Sequence, residues 1–86
     1  MSGPGPVRLT LLSRAYCHLC DEMRAALQPF VDRREIVLQE LDVDADPALE
    51  ARWGELVPVL LEGERELCRY RLDRAALEAC LAGAGA

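Results

Sequence analysis

The 86 residues predict an α/β fold, a four-stranded mixed sheet flanked by helices in the order β-α-β-α-β-β-α. Three observations carry that expectation. An alternating apolar run, "VRLTLLS" (7–13), passes directly into a helical stripe. A run rich in β-branched and large aliphatic residues, "REIVLQELDV" (34–43), follows the stripe. Two extended runs then flank Glu62-Gly63 in "VPVLLEGERELCRYRL" (57–72), the signal of a β-hairpin. A strand–helix–strand start implies a right-handed parallel crossover, and the hairpin must then join the same sheet antiparallel. Helices are needed over both faces.

Each element has its own local reason. Val7, Leu9 and Leu11 alternate with the period of a strand. From Leu19 the apolar positions Met23, Ala26, Leu27 and Phe30 make a helical stripe, with Asp21 and Glu22 in the first turn where the helix dipole favours acids. Pro29 is expected to kink or end this helix near residue 28. In "DADPALEARWG" (44–54), Asp46 reads as an N-cap, Pro47 as the first helical residue and Gly54 as the terminator. Asp73 caps "RAALEACLA", whose Leu77 and Leu81 share one face. The reading places a flexible tail at 1–6, one domain at 7–82 and a second tail at 83–86.

Composition bounds the chemistry. A net charge of −5 argues against a surface for nucleic acid. All ten basic residues are arginine, which excludes lysine Schiff bases and phosphate-binding loops that need lysine. No apolar run approaches the roughly 18 to 20 residues that cross a bilayer, so no membrane association is expected. "MSGPGPV" has neither a basic leader nor an apolar core, so no secretory signal is read there. Four cysteines without an export signal suggest a reducing, cytoplasmic setting, and a monomer is expected.

The chemistry concentrates in "AYCHLCDEM" (15–23). Cys17 falls at the start of the first helix, where unpaired amides favour an anionic sulfur, and it reads as a nucleophile. Cys20 is nearly one turn further on, close enough to close a short disulfide. Such a pair suits a reversible dithiol: the first sulfur attacks a substrate disulfide and the second resolves the mixed intermediate. The same spacing also serves as half of a metal site, and Cys68 and Cys80 are the only other thiols that could complete one. The dithiol reading needs no bound cofactor and no metal. A non-enzymatic module that binds metal or a protein through this surface is the alternative.

The stretches "SRAYCHLCDEM" and "LDVDADPALEARWGELVPVLLEGERELCRYRLD", with the element order, resemble the glutaredoxin-like members of the thioredoxin superfamily, over residues 7 to 82. The resemblance implies a thioredoxin-like, glutaredoxin-type fold and thiol–disulfide exchange, with Cys17 as nucleophile and Cys20 as resolving thiol. It implies a cis bond between Val57 and Pro58 beside the Cys pair, with the Val57 backbone pairing with an extended substrate or glutathione. Arg14 matches the place of a basic residue near the glutathione carboxylate; the alternative is a solvated loop arginine. Tyr16 stands where an aromatic lines the substrate groove, or it packs the loop. The implied partners are a disulfide-containing protein or a glutathione mixed disulfide.

The sequence also departs from that family. The dipeptide between the cysteines is His18-Leu19 in place of Pro-Tyr. Asp21 and Glu22 add charge that opposes a thiolate. The Gly-Gly that binds glutathione is absent from "LCRYRLD", where Arg69 and Arg71 can replace that recognition or redirect it to an acidic partner. "DVDAD" (42–46) is read as a helix-cap region, because Pro47 and Trp53 occupy positions where a calcium loop needs glycine and glutamate. Cys68 and Cys80 are read as small core residues, and Trp53 as packing the end of the short helix.

Overall fold

Seven residues of alternating pattern form β1 (Val7–Ser13), which becomes the pivot of the sheet. The computed structural model describes residues 5–85. After β1 come α1 (His18–Asp32), β2 (Ile36–Asp42), a single 3₁₀ turn (Val43–Ala45) and α2 (Pro47–Trp53). The hairpin β3 (Val59–Glu62) and β4 (Arg65–Arg69) and the final helix α3 (Arg74–Gly85) complete the chain. The strands lie in the order β2-β1-β3-β4, with β1 parallel to β2 and antiparallel to β3. This is the mixed four-stranded sheet that the sequence predicts.

The period-two pattern of β1 decides which face each residue serves. Leu9 and Leu11, with Leu60 of β3, pack against Met23, Leu27 and Phe30 of α1 and Leu77 and Cys80 of α3. On the other face Leu12, Val59 and Leu61 meet Val43, with Leu49 and Trp53 of α2 packed against them. Both faces are therefore covered, as a sheet with two apolar faces requires. Gly63 opens the hairpin loop with φ +60, the place where a two-residue loop takes glycine.

Two boundaries differ from the sequence reading. The first helix does not stop near residue 28; it runs through Pro29 to Asp32. Proline costs one backbone bond there, but its ring sits on the exposed side while Phe30, 3% exposed, anchors the last turn in the core. The true terminus is a Schellman motif. The Arg34 amide donates to the Val31 carbonyl at 2.9 Å, and the Glu35 amide donates to Phe30 at 3.0 Å. Arg34 holds the left-handed conformation, φ 61, that this position usually gives to glycine. We expect Arg34→Gly to stabilise the protein by about 0.5–1 kcal/mol, read as a higher urea midpoint at unchanged slope.

The second difference is at the C-terminus, where α3 continues through Gly85 in place of a tail from residue 83. The N-terminal tail read over 1–6 falls largely outside the described residues; Gly5 and Pro6 precede β1 without regular structure. The middle of the chain follows the sequence signals closely. Asp46 accepts from the Ala48 amide at 2.9 Å, Pro47 opens α2, and Asp73 accepts from the Ala76 amide at 3.1 Å. Gly54 follows α2 in a right-handed conformation (φ −53, ψ −36), and glycine is needed there because a Cβ would lie 2.6 Å from the Glu50 carbonyl oxygen.

Candidate functional site

β1 delivers the chain into a four-residue turn whose last member is Cys17. Cys17 has extended backbone (φ −109, ψ 104) and is the N-cap of α1, its Sγ accepting from the Cys20 amide at 3.1 Å. Its carbonyl accepts from the Asp21 amide at 3.1 Å. A cysteine therefore does here what serine or aspartate usually does at a helix start. Sulfur at this position faces the positive end of the helix dipole and unpaired N–H groups, an environment that stabilises an anion.

Cys17 and Cys20 are joined in a disulfide, with their Cα atoms 5.2 Å apart. The two sulfurs are unequal in access. Cys17 is half-buried, whereas Cys20 is fully buried. An incoming group reaches Cys17 first. Among the described residues no three His, Cys, Asp or Glu side chains gather as a metal-ligand group. Cys68 is half-buried and Cys80 buried, and burial pushes both thiols up from their ordinary range.

Antiparallel register sets Val59 opposite Leu12, so Pro58 lies at the end of the sheet from which β1 runs toward Cys17. The Val57–Pro58 bond is cis, as the resemblance implies. Pro58 is buried and its carbonyl accepts from the Tyr70 amide at 2.8 Å. The Val57 side chain packs on the second core cluster. Outside the helices and strand ladders, no hydrogen bond among the described residues engages the Val57 backbone.

Tyr16 and Arg14 part company. Tyr16 is fully exposed beside the nucleophile and holds a left-handed backbone, φ 58. It does not pack the loop. Arg14 is not a free loop arginine. Its guanidinium bonds both carboxylate oxygens of Asp44, at 2.7 and 3.3 Å, and the Gly54 carbonyl at 2.8 Å. Glu50 stands 3.7 Å away. Arg14 thus ties the turn to the flanks of α2, and the sequence reading missed this because the partner lies thirty positions on. The acids expected to oppose a thiolate are also engaged: Asp21 with Arg24 at 2.8 Å, and Glu22 with His18 at 2.7 Å. Arg69 is held by Glu66 at 2.6 and 2.9 Å, whereas Arg71 has no carboxylate partner among the described residues.

One polar network under the turn escaped the sequence reading. Ser13, 4% exposed, donates to Glu40 at 2.7 Å, and Arg24 clamps the same carboxylate. The Arg24 hydrogen bonds hold Glu40 below the ordinary glutamate value of 4.5, with a smaller push from Ser13, and Arg14 likewise lowers Asp44. Carboxylates lowered by folding supply stability that is present above their unfolded values and lost as pH falls through the folded ones. Urea midpoints are expected to decline from about pH 5 downward, and Glu40→Gln to flatten that decline. An unchanged slope in the variant would remove Glu40 from the account.

The model of the glutaredoxin-like domain (DUF836) matches residues 8–82. The solution structure of protein Ne2328 from Nitrosomonas europaea is 30% identical with a TM-score of 0.75, over 93% of this chain and 94% of that one. The X-ray structure of protein XcR50 from X. campestris is 36% identical with a TM-score of 0.64, over 87% of this chain and 96% of that one. Thioredoxin 1 from Thermosipho africanus shares 19% identity at a TM-score of 0.61, over 92% of this chain and 99% of that one, and shows the fold.

Proposed function

The chain belongs to the glutaredoxin-like domain family (DUF836), and from that premise we propose that it is a thiol–disulfide oxidoreductase. The observation that carries the proposal is the Cys17–Cys20 disulfide at the strand-to-helix turn, with one sulfur accessible and the other buried. In the reduced protein the Cys17 thiolate attacks one sulfur of a substrate disulfide. A mixed disulfide forms and the other substrate sulfur leaves as a thiolate. The Cys20 thiolate then attacks Cys17 Sγ and expels the second substrate thiolate. Two electrons pass to the substrate, and the protein is left with the disulfide seen here.

The chain's own residues supply what this needs. The helix start stabilises the anionic sulfur of Cys17, and Cys20 is held one turn away, ready to resolve. Pro58, at the same end of the sheet, together with the unengaged Val57 backbone, offers an extended substrate a place to pair. Tyr16 adds an exposed aromatic surface next to the nucleophile. The dithiol is itself the redox group, so no bound cofactor is required. Glutathione serves as a co-substrate in this proposal, and the cytoplasm keeps the pair reduced between turnovers.

The test is turnover. Purified protein is given a peptide disulfide with glutathione and its reductase, or with thioredoxin reductase, as electron source. Catalytic reduction well above the rate of the electron source alone is expected. In a glutathione redox buffer the pair should titrate as a two-electron couple. Stoichiometric metal on anaerobically purified protein, with no turnover, would instead favour a binding module.

A further inference from the structure

We propose that the groove between α1 and the 70–74 loop is the docking surface for an acidic segment of a polypeptide substrate, held by Arg71 and Arg74 beside Tyr70. The proposal rests on the oxidoreductase reading and names its substrate class. The groove has a volume of about 310 Å³, within the range of small ligand sites. Met23, Ala26 and Leu72 give it apolar lining, while Tyr70, Arg71 and Arg74 form one wall.

Charge marks the groove. In this acidic chain five of the ten arginines are paired with carboxylates: Arg14, Arg24, Arg33, Arg65 and Arg69. Of the five with no carboxylate within 4.0 Å among the described residues, Arg8, Arg34 and Arg52 lie elsewhere, and Arg71 and Arg74 share this groove. The Arg74 guanidinium carbon lies 5.5 Å from the centre of the Phe30 ring, a cation–π contact that takes up none of its N–H donors. Two acids lie nearby, and both are engaged. Glu22 on the opposite wall bonds His18, and Asp73 caps α3 through the Ala76 amide. Two uncommitted planar guanidiniums over an apolar floor are suited to carboxylates, each able to take one through two parallel bonds.

Position links the groove to the chemistry. The Tyr70 amide bonds the Pro58 carbonyl at 2.8 Å, so the loop is tied to the substrate-facing end of the sheet. Tyr70 is exposed and holds a left-handed backbone, φ 68, a conformation costly for a bulky residue and tolerated where its surroundings impose it. Length separates two classes of occupant. Ala26 is nine positions beyond Cys17, about 13 Å along the helix axis. An extended chain needs about four residues to span that distance. Glutathione, with one residue on either side of its cysteine, reaches only the near end at Glu22, about 7.5 Å along the axis. A polypeptide continues.

The test uses the wild-type protein and two synthetic peptides with one internal disulfide, flanked by three glutamates or by three glutamines. The acidic peptide is expected to be reduced with a kcat/KM about fivefold higher at low salt, a size suited to two exposed charge pairs. The ratio should fall toward one at about 0.5 M salt and in the Arg71→Gln/Arg74→Gln variant, whose fold is checked by circular dichroism. Equal reduction of both peptides overturns the docking surface and leaves the dithiol reading intact. If neither peptide is reduced, the dithiol reading fails, and the groove is judged by binding alone. Shifts of the Tyr70–Arg74 amides on adding a cysteine-free acidic peptide then support it, and their absence overturns it. If the double variant slows a glutathione mixed disulfide as much as the acidic peptide, the groove holds glutathione and the proposal falls.

Discussion

Cys17→Ser is expected to reduce disulfide exchange to the uncatalysed background, whereas Cys20→Ser is expected to stop after one exchange and accumulate a mixed disulfide. A serine hydroxyl is not ionised near neutral pH and cannot replace a thiolate as the attacking group. The structure makes Cys17→Ser an unusually clean variant. Serine is a preferred N-cap, so its Oγ can still accept from the Cys20 amide where the sulfur does now. Both variants lose the same four-residue cross-link, which by loop entropy stabilises the oxidised form by about 2 kcal/mol. Cys20→Ser is expected to be the less stable of the two, since it places a hydroxyl at a fully buried position. Opposite trapping behaviour in two folded variants is what separates chemistry from folding. Mass spectrometry of each variant after one addition of peptide disulfide reads the adduct. Turnover surviving in Cys17→Ser, or an adduct on Cys20 in that variant, would reverse the roles assigned to the two sulfurs.

How much of this was visible in the sequence depends on the range of each interaction. The Cys pair, the Asp46-Pro47 helix start, the Gly63 turn and the Asp73 cap are all signals confined to a few neighbouring residues, and each appears where it is read. The end of α1 is equally local, yet its local signals mislead. The Schellman turn there places Arg34 where glycine is the usual signal, and Pro29 offers a false stop three residues earlier than the true one. Burial of Phe30 outweighs the bond that proline removes. The strand pairings followed from the element order, but individual long-range contacts of the loops had no signal. Nothing near Arg14 announces Asp44, and nothing near Tyr70 announces Pro58. The candidate site was thus legible in its reactive atoms and obscure in the walls around them, because reactive atoms are set by local turns and walls by the sheet.

The largest effect on stability is expected from Leu11→Ala, because Leu11 stands where most of the fold is joined. It is fully buried on the central strand, opposite Glu40 of β2 and Leu60 of β3, and belongs to the cluster that seats α1 and α3. Removing a buried leucine side chain costs about 2–5 kcal/mol, toward the upper end where rigid strands on both sides prevent collapse into the cavity. A domain of this size holds about 4–13 kcal/mol in total, so the variant is expected to lose a large fraction of its stability. Urea unfolding of the oxidised protein should show a much lower midpoint at unchanged slope. Val37→Ala is the matched control, since Val37 is 50% exposed on the edge strand β2 and should cost well under half as much. The same packing seats α1, and with it the helix start that presents Cys17. Exchange rates in Leu11→Ala should therefore fall in proportion to the unfolded fraction and recover on cooling toward maximum stability. A loss under about 1 kcal/mol would mean that β1 tolerates a cavity that the close-packed sheet does not permit.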